Sequence, residues 1–408
     1  MSSYVVQAGD TLESISRANY GIESLANIIS ISNPGLTLPL RQGAVINIPK
    51  NPKNRPKKYS NLEFKNEDEI AIMIDGTRFH TWNSLSLNRI FDSIDTLDVT
   101  APFEPDLPSF RQTFKPFSFK DVEVIIGGQR LFTGTIINIV PTMGKEKSIQ
   151  ISAYARCGIL NDCTAPASAY PIEYNKQNLK DISDSLTAPF GIVSSFEEDV
   201  GEVFERVALD PGQKILDFLS ELAKQRNLVI SNDTTGNLVY RKAISSGKPV
   251  AKLQQGEASL LSISPEFNPQ QYYSHITGLE PVSIGGDGGT YTVQNSKLTS
   301  ILRPFTYEVQ DVESGELKNA VDSKAGRMFG NMVSYKISIN TWRTSNKLLW
   351  EPNTIINLQS DNAMIYKPYN LVIRGVQFKR DKQTKTAELD LVLPGSFSGK
   401  VPEVLPWD

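Results

Sequence analysis

Histidine and cysteine are nearly absent from this 408-residue chain, which holds only His80, His275, Cys157 and Cys163. A structural zinc site needs four such ligands brought together, so the supply argues against one. The two cysteines could be bridged on paper, but a chain without an export signal favours reduced, packed thiols. The N-terminus shows no basic stretch followed by an apolar core, so no secretory signal is visible. No apolar run approaches the roughly 20 residues that a membrane-spanning helix needs. A basic excess is missing too: the formal net charge is -3, where nucleic-acid binders carry positive charge to neutralise phosphates.

Catalytic patterns are equally scarce. There is no H-x-x-x-H pair and no G-x-S-x-G, and neither cysteine sits in a nucleophile signature. His80 and His275 read as residues of strands. The acidic clusters Glu67-Asp68-Glu69 and Glu197-Glu198-Asp199 read as solvated loops or helix starts. The glycine-rich run Ser283 to Gly289 lacks the flanking strand, the helix and the Lys-Ser/Thr pair of a phosphate loop, so a plain loop is expected. No catalytic, cofactor or metal residue is assigned.

What the chain has in quantity is alternation. Val122, Val124 and Ile126 occupy every second position, as do Ile149, Ile151 and Ala153, the period of two of strands. Gly127-Gly128 supplies the positive φ of a tight hairpin. The stretch Asp121 to Ala153 is therefore an antiparallel meander, and Leu371 to Phe378 with Ala387 to Leu393 forms a similar one.

The length implies two to four domains. Residues 1–50 read as strand, helix, helix, strand, with Asp10 placed to cap a helix carrying Leu12, Ile15 and Ala18. A second helix, Ile22 to Ile31, buries Leu25, Ile28 and Ile29 and stops at Asn33-Pro34-Gly35. Residues 51–61 form a basic, proline-bearing linker.

Residues 62–164 form a β domain of five or six strands. It has a hairpin at Asp75-Gly76 whose returning strand runs through Phe79, Trp82, Leu85 and Leu87. It also has a long loop rich in proline and phenylalanine from Pro102 to Phe119, packed on the domain or on a neighbouring subunit. Residues 165–245 form a small α/β domain with a helix through Leu179, Ile182 and Leu186. Asp210-Pro211-Gly212 starts a second helix, and a hairpin turns at Asn232 to Gly236. Residues 246–408 return to β around a helix from Leu317 to Arg327. The expected fold class is mainly β with α+β parts: two tube-like antiparallel β-barrel domains, a small α/β middle domain and an N-terminal βααβ module.

Two resemblances follow from these residues. Val6, Gly9-Asp10-Thr11-Leu12, Ile15-Ser16, Asn33-Pro34, Leu38, Gly43, Ile46 and Ile48-Pro49 resemble a LysM domain. That resemblance implies a glycan-binding or protein-docking site at Gly9, Asp10, Thr11, Asn33 and Pro34. A purely structural use of these residues as turn and cap chemistry is the competing expectation.

Further on, Glu69 to Gly76, Phe79, Trp82, Asp121 to Val124, Phe132 to Thr135, Tyr154 to Arg156 and Asn161 to Cys163 resemble the baseplate hub family of contractile-tailed phages. Tyr154-Ala-Arg-Cys-Gly158 departs from the family's Gly-Arg-Ser-like turn, and Ser274 to Gly278 resembles the strand opening its second tube-like domain. This resemblance implies a non-enzymatic structural protein in the virion: a homotrimer whose two tube-like domains per chain make a ring between sixfold tail tube and threefold spike. Its implied partners are the tail tube protein, the central spike protein, other baseplate proteins and the tape measure protein. DNA is expected to pass through its channel without specific binding, past few basic residues. The alternative function is a LysM-anchored cell-wall-binding protein or peptidoglycan hydrolase, with peptidoglycan as its partner.

Overall fold

The computed structural model describes residues 2–20, 26–31, 33, 36–48, 62–145, 147–280, 288–309, 317–397 and 404–408. The expectations placed on residues 22–25, on Pro34, on 51–61 and on 283–287 lie outside the described residues, as does the side chain of Ile28.

The N-terminal unit runs β1 (Ser2–Val5), α1 (Leu12–Tyr20), α2 (Ala26–Ile31) and β2 (Val45–Ile48), and β1 pairs antiparallel with β2. Val6, Leu12, Ile15, Ile29, Ile46 and Ile48 form a small core of their own, while Ala18 is exposed rather than on the apolar face.

In the next stretch, β3 (Ile70–Ile74) and β4 (Thr77–Phe79) turn through Asp75 and Gly76 at φ 49° and 86°. Positive φ at both positions is what a two-residue hairpin of this hand requires. The returning strand stops at Phe79 instead of running through Trp82. Ser84 opens a separate strand, β5 (Ser84–Ile90), followed by β6 (Thr96–Pro102). The proline-rich run is not all loop: Pro108 begins a short helix, α3 (Pro108–Thr113), where the absent N–H costs no hydrogen bond. Phe110 in this helix and Phe114 just after it pack on Phe103 and Phe79, whereas Phe117 and Phe119 are exposed. The meander is β7 (Asp121–Ile126), β8 (Gln129–Thr142) and β9 (Ser148–Ala155). Gly127 at its hairpin is obligatory, because φ is 55° and a Cβ would lie 2.1 Å from the Glu67 carbonyl oxygen.

The middle of the chain contributes α4 (Ile159–Asp162), β10 (Ile172–Gln177), α5 (Leu179–Thr187), β11 (Ser194–Phe196), β12 (Phe204–Leu209), α6 (Ile215–Gln225), β13 (Val229–Asn232) and β14 (Leu238–Arg241). Asn178 caps α5 by accepting from Asp181 N at 2.9 Å. Asp210 does not cap α6. Gly212 at φ 94° cannot begin a right-handed helix, so Asp210-Pro211-Gly212 forms a turn and Lys214 takes the cap position.

The last third adds β15 (Ala251–Gln254), β16 (Leu260–Phe267), β17 (His275–Leu279), β18 (Thr290–Gln294), β19 (Pro304–Glu308), α7 (Leu317–Gly330), β20 (Val333–Ile339), β21 (Ile355–Ser360), β22 (Ile365–Arg380) and β23 (Lys385–Val392). The strand from Ser274 to Gly278 does not open the second large β region. It is β17, the centre of a separate three-stranded sheet whose apolar face packs on α7 through Ile276, Val321 and Ala325.

The β regions on either side of the middle share one sheet of 13 strands, in the order β16-β20-β23-β22-β5-β6-β9-β8-β7-β3-β4, with β21 and β15 branching from β22. Among the described residues the hydrogen bonds along this path join the halves to each other at β22–β5 rather than closing each half on itself. One continuous apolar core runs beneath it, from Ile70 through Leu222 to Leu391.

Candidate assembly interface

The two halves of the sheet repeat each other. In the first, β8 leaves β7 and then pairs with β9, β9 pairs with β6, and β6 with β5. In the second, β22 leaves β21 and then pairs with β23, β23 with β20, and β20 with β16. Both long strands carry a bulge at the same point, between Ile136 and Asn138 in β8 and between Ile373 and Gly375 in β22. A bulge bends its strand and sharpens the local twist, so shared position means shared curvature. Aligning the bulges makes Asn138 the counterpart of Gly375, Pro141 of Phe378, Leu97 of Tyr335, Leu85 of Ile263 and Leu87 of Pro265. The repeat is not perfect: β3 pairs antiparallel with β7, but β15 pairs parallel with β21.

The joint between halves is the ladder of β5 on Gly375–Arg380 of β22, with Leu87 opposite Phe378 and Arg89 opposite Val376. Leu85, Leu87, Val376 and Phe378 are all buried there, and Phe378 meets Trp342 edge-on at 5.7 Å. Three polar links reinforce the connection between distant parts of the chain. Arg374 forks onto Asp92 with bonds of 3.0 and 2.9 Å. Asp68 accepts from Arg343 at 3.1 Å and from Lys385. Burial pushes the Asp68 carboxyl up, but those two cations outweigh it and hold the group below the usual carboxylate range. The cluster expected to be a solvated loop is thus an anchor between halves, with Glu69 accepting from Arg78 at 2.9 Å.

The third link ties in the middle region. Buried Asp95 donates its backbone N–H to Asn232 Oδ1 at 2.7 Å, receives Asn232 Nδ2 at 3.0 Å and faces Arg89 at 3.4 Å. Burial raises the Asp95 carboxyl, with Arg89 and Asn232 opposing. Beside it, the turn after Asn232 docks on β8: Thr133 Oγ1 donates to the Thr234 carbonyl at 2.9 Å, and Cys157 N to the Gly236 carbonyl at 2.9 Å. Gly236 is required at this contact, since φ is 80° and a Cβ would sit 2.4 Å from the Thr133 carbonyl oxygen.

Above the core the sheet shows a continuous face of small polar residues. Ser152, Asp98 and Ser86 stand opposite one another across β9, β6 and β5, as do Asn88, Gln377 and Glu388 across the joint, and Ser338 with Ser262 beyond it. Lys336 and Lys379 are offset by Asp98, Glu266, Glu388 and Asp390, and Lys379 pairs with Glu388 at 2.7 Å.

The N-terminal residues singled out from the sequence are occupied with local work. Asp10 Oδ2 accepts from Gln7 N at 2.7 Å and Tyr4 OH at 2.9 Å, so it fastens the turn in which Gly9 takes φ 83°. The cap of α1 falls to Thr11 instead, whose Oγ1 accepts from Ser14 N at 3.1 Å while Thr11 N donates to Ser14 Oγ at 2.9 Å. Asn33 bonds the Ile29 and Asn47 carbonyls and the Asn47 N–H, stitching the end of α2 to β2. Elsewhere, Cys157 is buried and Cys163 partly so, both as free thiols. His275 lies in β17 against Ser274 Oγ at 3.0 Å, but His80 is exposed just beyond β4. Among the described residues no group of three or more His, Cys, Asp or Glu is arranged to hold a metal, and no helix is long and apolar enough to cross a membrane.

Fold and joint define a chain built on a duplicated β architecture. Comparisons with known proteins agree in kind. Residues 157–242 match the family model described as "Baseplate hub protein gp44-like, second domain". The curated baseplate hub protein gp44 of Escherichia phage Mu is 22% identical over 319 residues, covering 72% of this chain and 80% of gp44. The 43 kDa tail protein of prophage MuSo2 from Shewanella oneidensis has a similar fold, with TM-score 0.69, 23% identity and coverage of 81% of this chain and 99% of that one. A tail protein from Neisseria meningitidis MC58 gives TM-score 0.68, 18% identity and coverage of 81% and 98%. Together these make the chain a baseplate hub protein of a phage tail.

Proposed function

We propose that three copies of this hub close into a ring that adapts a sixfold tail tube to a threefold spike, acting without enzymatic chemistry. The observation that carries the proposal is the duplication with matched bulges: each chain offers two lobes of like curvature within one shared sheet. Three chains then present six near-equivalent surfaces on one side while keeping a threefold axis on the other. The continuous face of Ser, Thr, Asn and Gln with a slight excess of carboxylates suits the channel wall, because a wall poor in cations does not retard a sliding polyanion. The partners are then the tail tube protein, the central spike protein and neighbouring baseplate and tape measure proteins, and the place of action is the virion. The likeness to a component of the type VI secretion system of E. coli, at TM-score 0.51 and 12% identity, supports a hub fold shared among injection machines.

The N-terminal unit is proposed as a LysM-like docking module rather than a glycan site, since Asp10 Oδ2 and the Asn33 amide are already engaged within the module. Mass determination in solution with particle imaging tests the ring. A trimer with a central pore and the polar face toward its axis is the expected result; a monomer at high concentration, or a channel lined by Lys and Arg, overturns it. Peptidoglycan pull-down and clearing of cell walls by the purified protein test the alternative, and clearing would sink the non-enzymatic reading.

A further inference from the structure

We infer that the β16 edge of one chain docks on the outer edge of β8, residues 138–143, of a second copy, in the register of the internal β5–β22 joint. The inference rests on the ring reading above and says where its inter-chain seam lies. Its basis is a pair of vacant sites that the repeat itself identifies. Inside the chain, β5 of the first half sits on the far part of β22 of the second half. The counterpart of β5 is β16, an end strand of the sheet, and the counterpart of that part of β22 is the far part of β8. Among the described residues neither edge has a strand beside it.

Both edges are apolar where the internal joint is apolar. Leu85 and Leu87 correspond to Ile263 and Pro265, and Val376 and Phe378 to Ile139 and Pro141. The internal set is buried, whereas Ile139, Ile263 and Pro265 are half-exposed and Pro141 is exposed. Around them Val140 is 43% exposed, Met143 72%, Leu261 54% and Phe267 39%, the last with Trp407 against it at 5.3 Å. Two exposed edges whose apolar positions match those of a buried joint in the same molecule are complementary to each other, and within one chain six strands of the sheet stand between them, so a second copy is what brings them together.

Backbone direction agrees. Asn268 N donates to the Met332 carbonyl at 2.8 Å, so Phe267, Pro265 and Ile263 turn their backbone groups to the open side of β16. Phe103 N donates to the Lys147 carbonyl at 3.1 Å across β6 and β9. The alternation carried to β8 leaves Ile139 and Pro141 facing its open side. The register carried over from the internal joint sets Phe267 opposite Ile139, Pro265 opposite Pro141 and Ile263 opposite Met143. The facing prolines remove two donors, so the ladder between copies is weaker than the internal one. Proline in these two places also stops each edge from pairing with arbitrary strands.

Directly opposed, non-hydrogen-bonded positions suit a cross-strand disulfide, and Glu266 and Val140 are such a pair. With Cys163→Ser as background, the full chain carrying Glu266→Cys and Val140→Cys is oxidised at a concentration where its mass is trimeric. Non-reducing gels should show covalent dimers and trimers, absent from either single variant. The internal analogue, Asn88→Cys with Gln377→Cys, should give only a monomer of altered mobility. Ile263→Lys in the cross-linking background should abolish the inter-chain product while the monomer still unfolds in one cooperative transition, at somewhat lower stability because Ile263 also packs on the apolar core. Pro265→Leu, which restores one donor, should make the trimer persist at about tenfold greater dilution. A trimer that does not cross-link overturns the seam but leaves the ring standing. A chain that stays monomeric overturns both.

Discussion

The β5–β22 joint and the two free edges that mirror it have the same geometry and different chemistry. At the internal joint Leu87 faces Phe378 with both backbone N–H groups available, and Arg89, Asp95 and Asn232 bind its end to the middle region. At the mirrored edges prolines stand in both places, Phe267 replaces Arg89 and Val333 replaces Asp95. A contact made once, during folding, tolerates a full ladder and a buried ion pair, because each is satisfied as the chain collapses. A contact made between finished subunits must leave each edge soluble beforehand, and edge proline and partial apolar exposure meet that need.

Breaking the joint should give the largest effect. Phe378→Ala should cost about 3–5 kcal/mol in denaturant unfolding, as expected for emptying an aromatic site in a packed core. Pro141→Ala at the mirrored edge should change it by less than about 0.5 kcal/mol. Equal losses at both would show that the β8 edge is covered within the monomer. Next, Asp95→Ala should cost about 3 kcal/mol by leaving Arg89 and Asn232 buried without their carboxylate partner. The loss should show as earlier release of the middle region, measured by hydrogen exchange across Val229–Asn232.

A gentler exchange sharpens the repeat. Gly375→Asn, which installs the residue of the β8 bulge, should cost no more than about 1 kcal/mol, since a Cβ at Gly375 meets its nearest neighbour at 3.6 Å, an ordinary contact. A larger loss in thermal melting would mean that the two bulges differ in conformation.

Among the polar links the smallest effect is expected at Asp68, whose surroundings are partly wet. Asp68→Asn should cost less than about 1 kcal/mol at neutral pH. Its folded carboxyl lies below its ordinary value, so its contribution is present above that value, near pH 4, and fades as pH falls through the depressed one. Wild type and variant should therefore converge in stability once acid has protonated the group, and a difference that persists in that state would remove Asp68 as the cause.

Much of the molecule was legible because strands and hairpins are local. Val122, Val124 and Ile126 mark one strand by period, Gly127 and Gly128 mark its turn by φ, and Leu179 and Leu317 stand at the starts of the helices they suggest. Local reading failed where neighbours compete. Asp210 looked like a cap until Gly212 took a left-handed conformation, and Trp82 looked like strand although β4 ends three residues earlier. The acidic run at Asp68 looked solvated because its cations, Arg343 and Lys385, lie 275 and 317 residues away.

By itself, then, the sequence determined the strands, their turns and the existence of two similar meanders, since period and φ preference are properties of neighbouring residues. Only the tertiary structure decided that the meanders share a bulge position, that their halves share one sheet, and which edges remain open. Each of those depends on register between strands far apart in the chain, and register is set by the packing of whole faces rather than by any short run of residues.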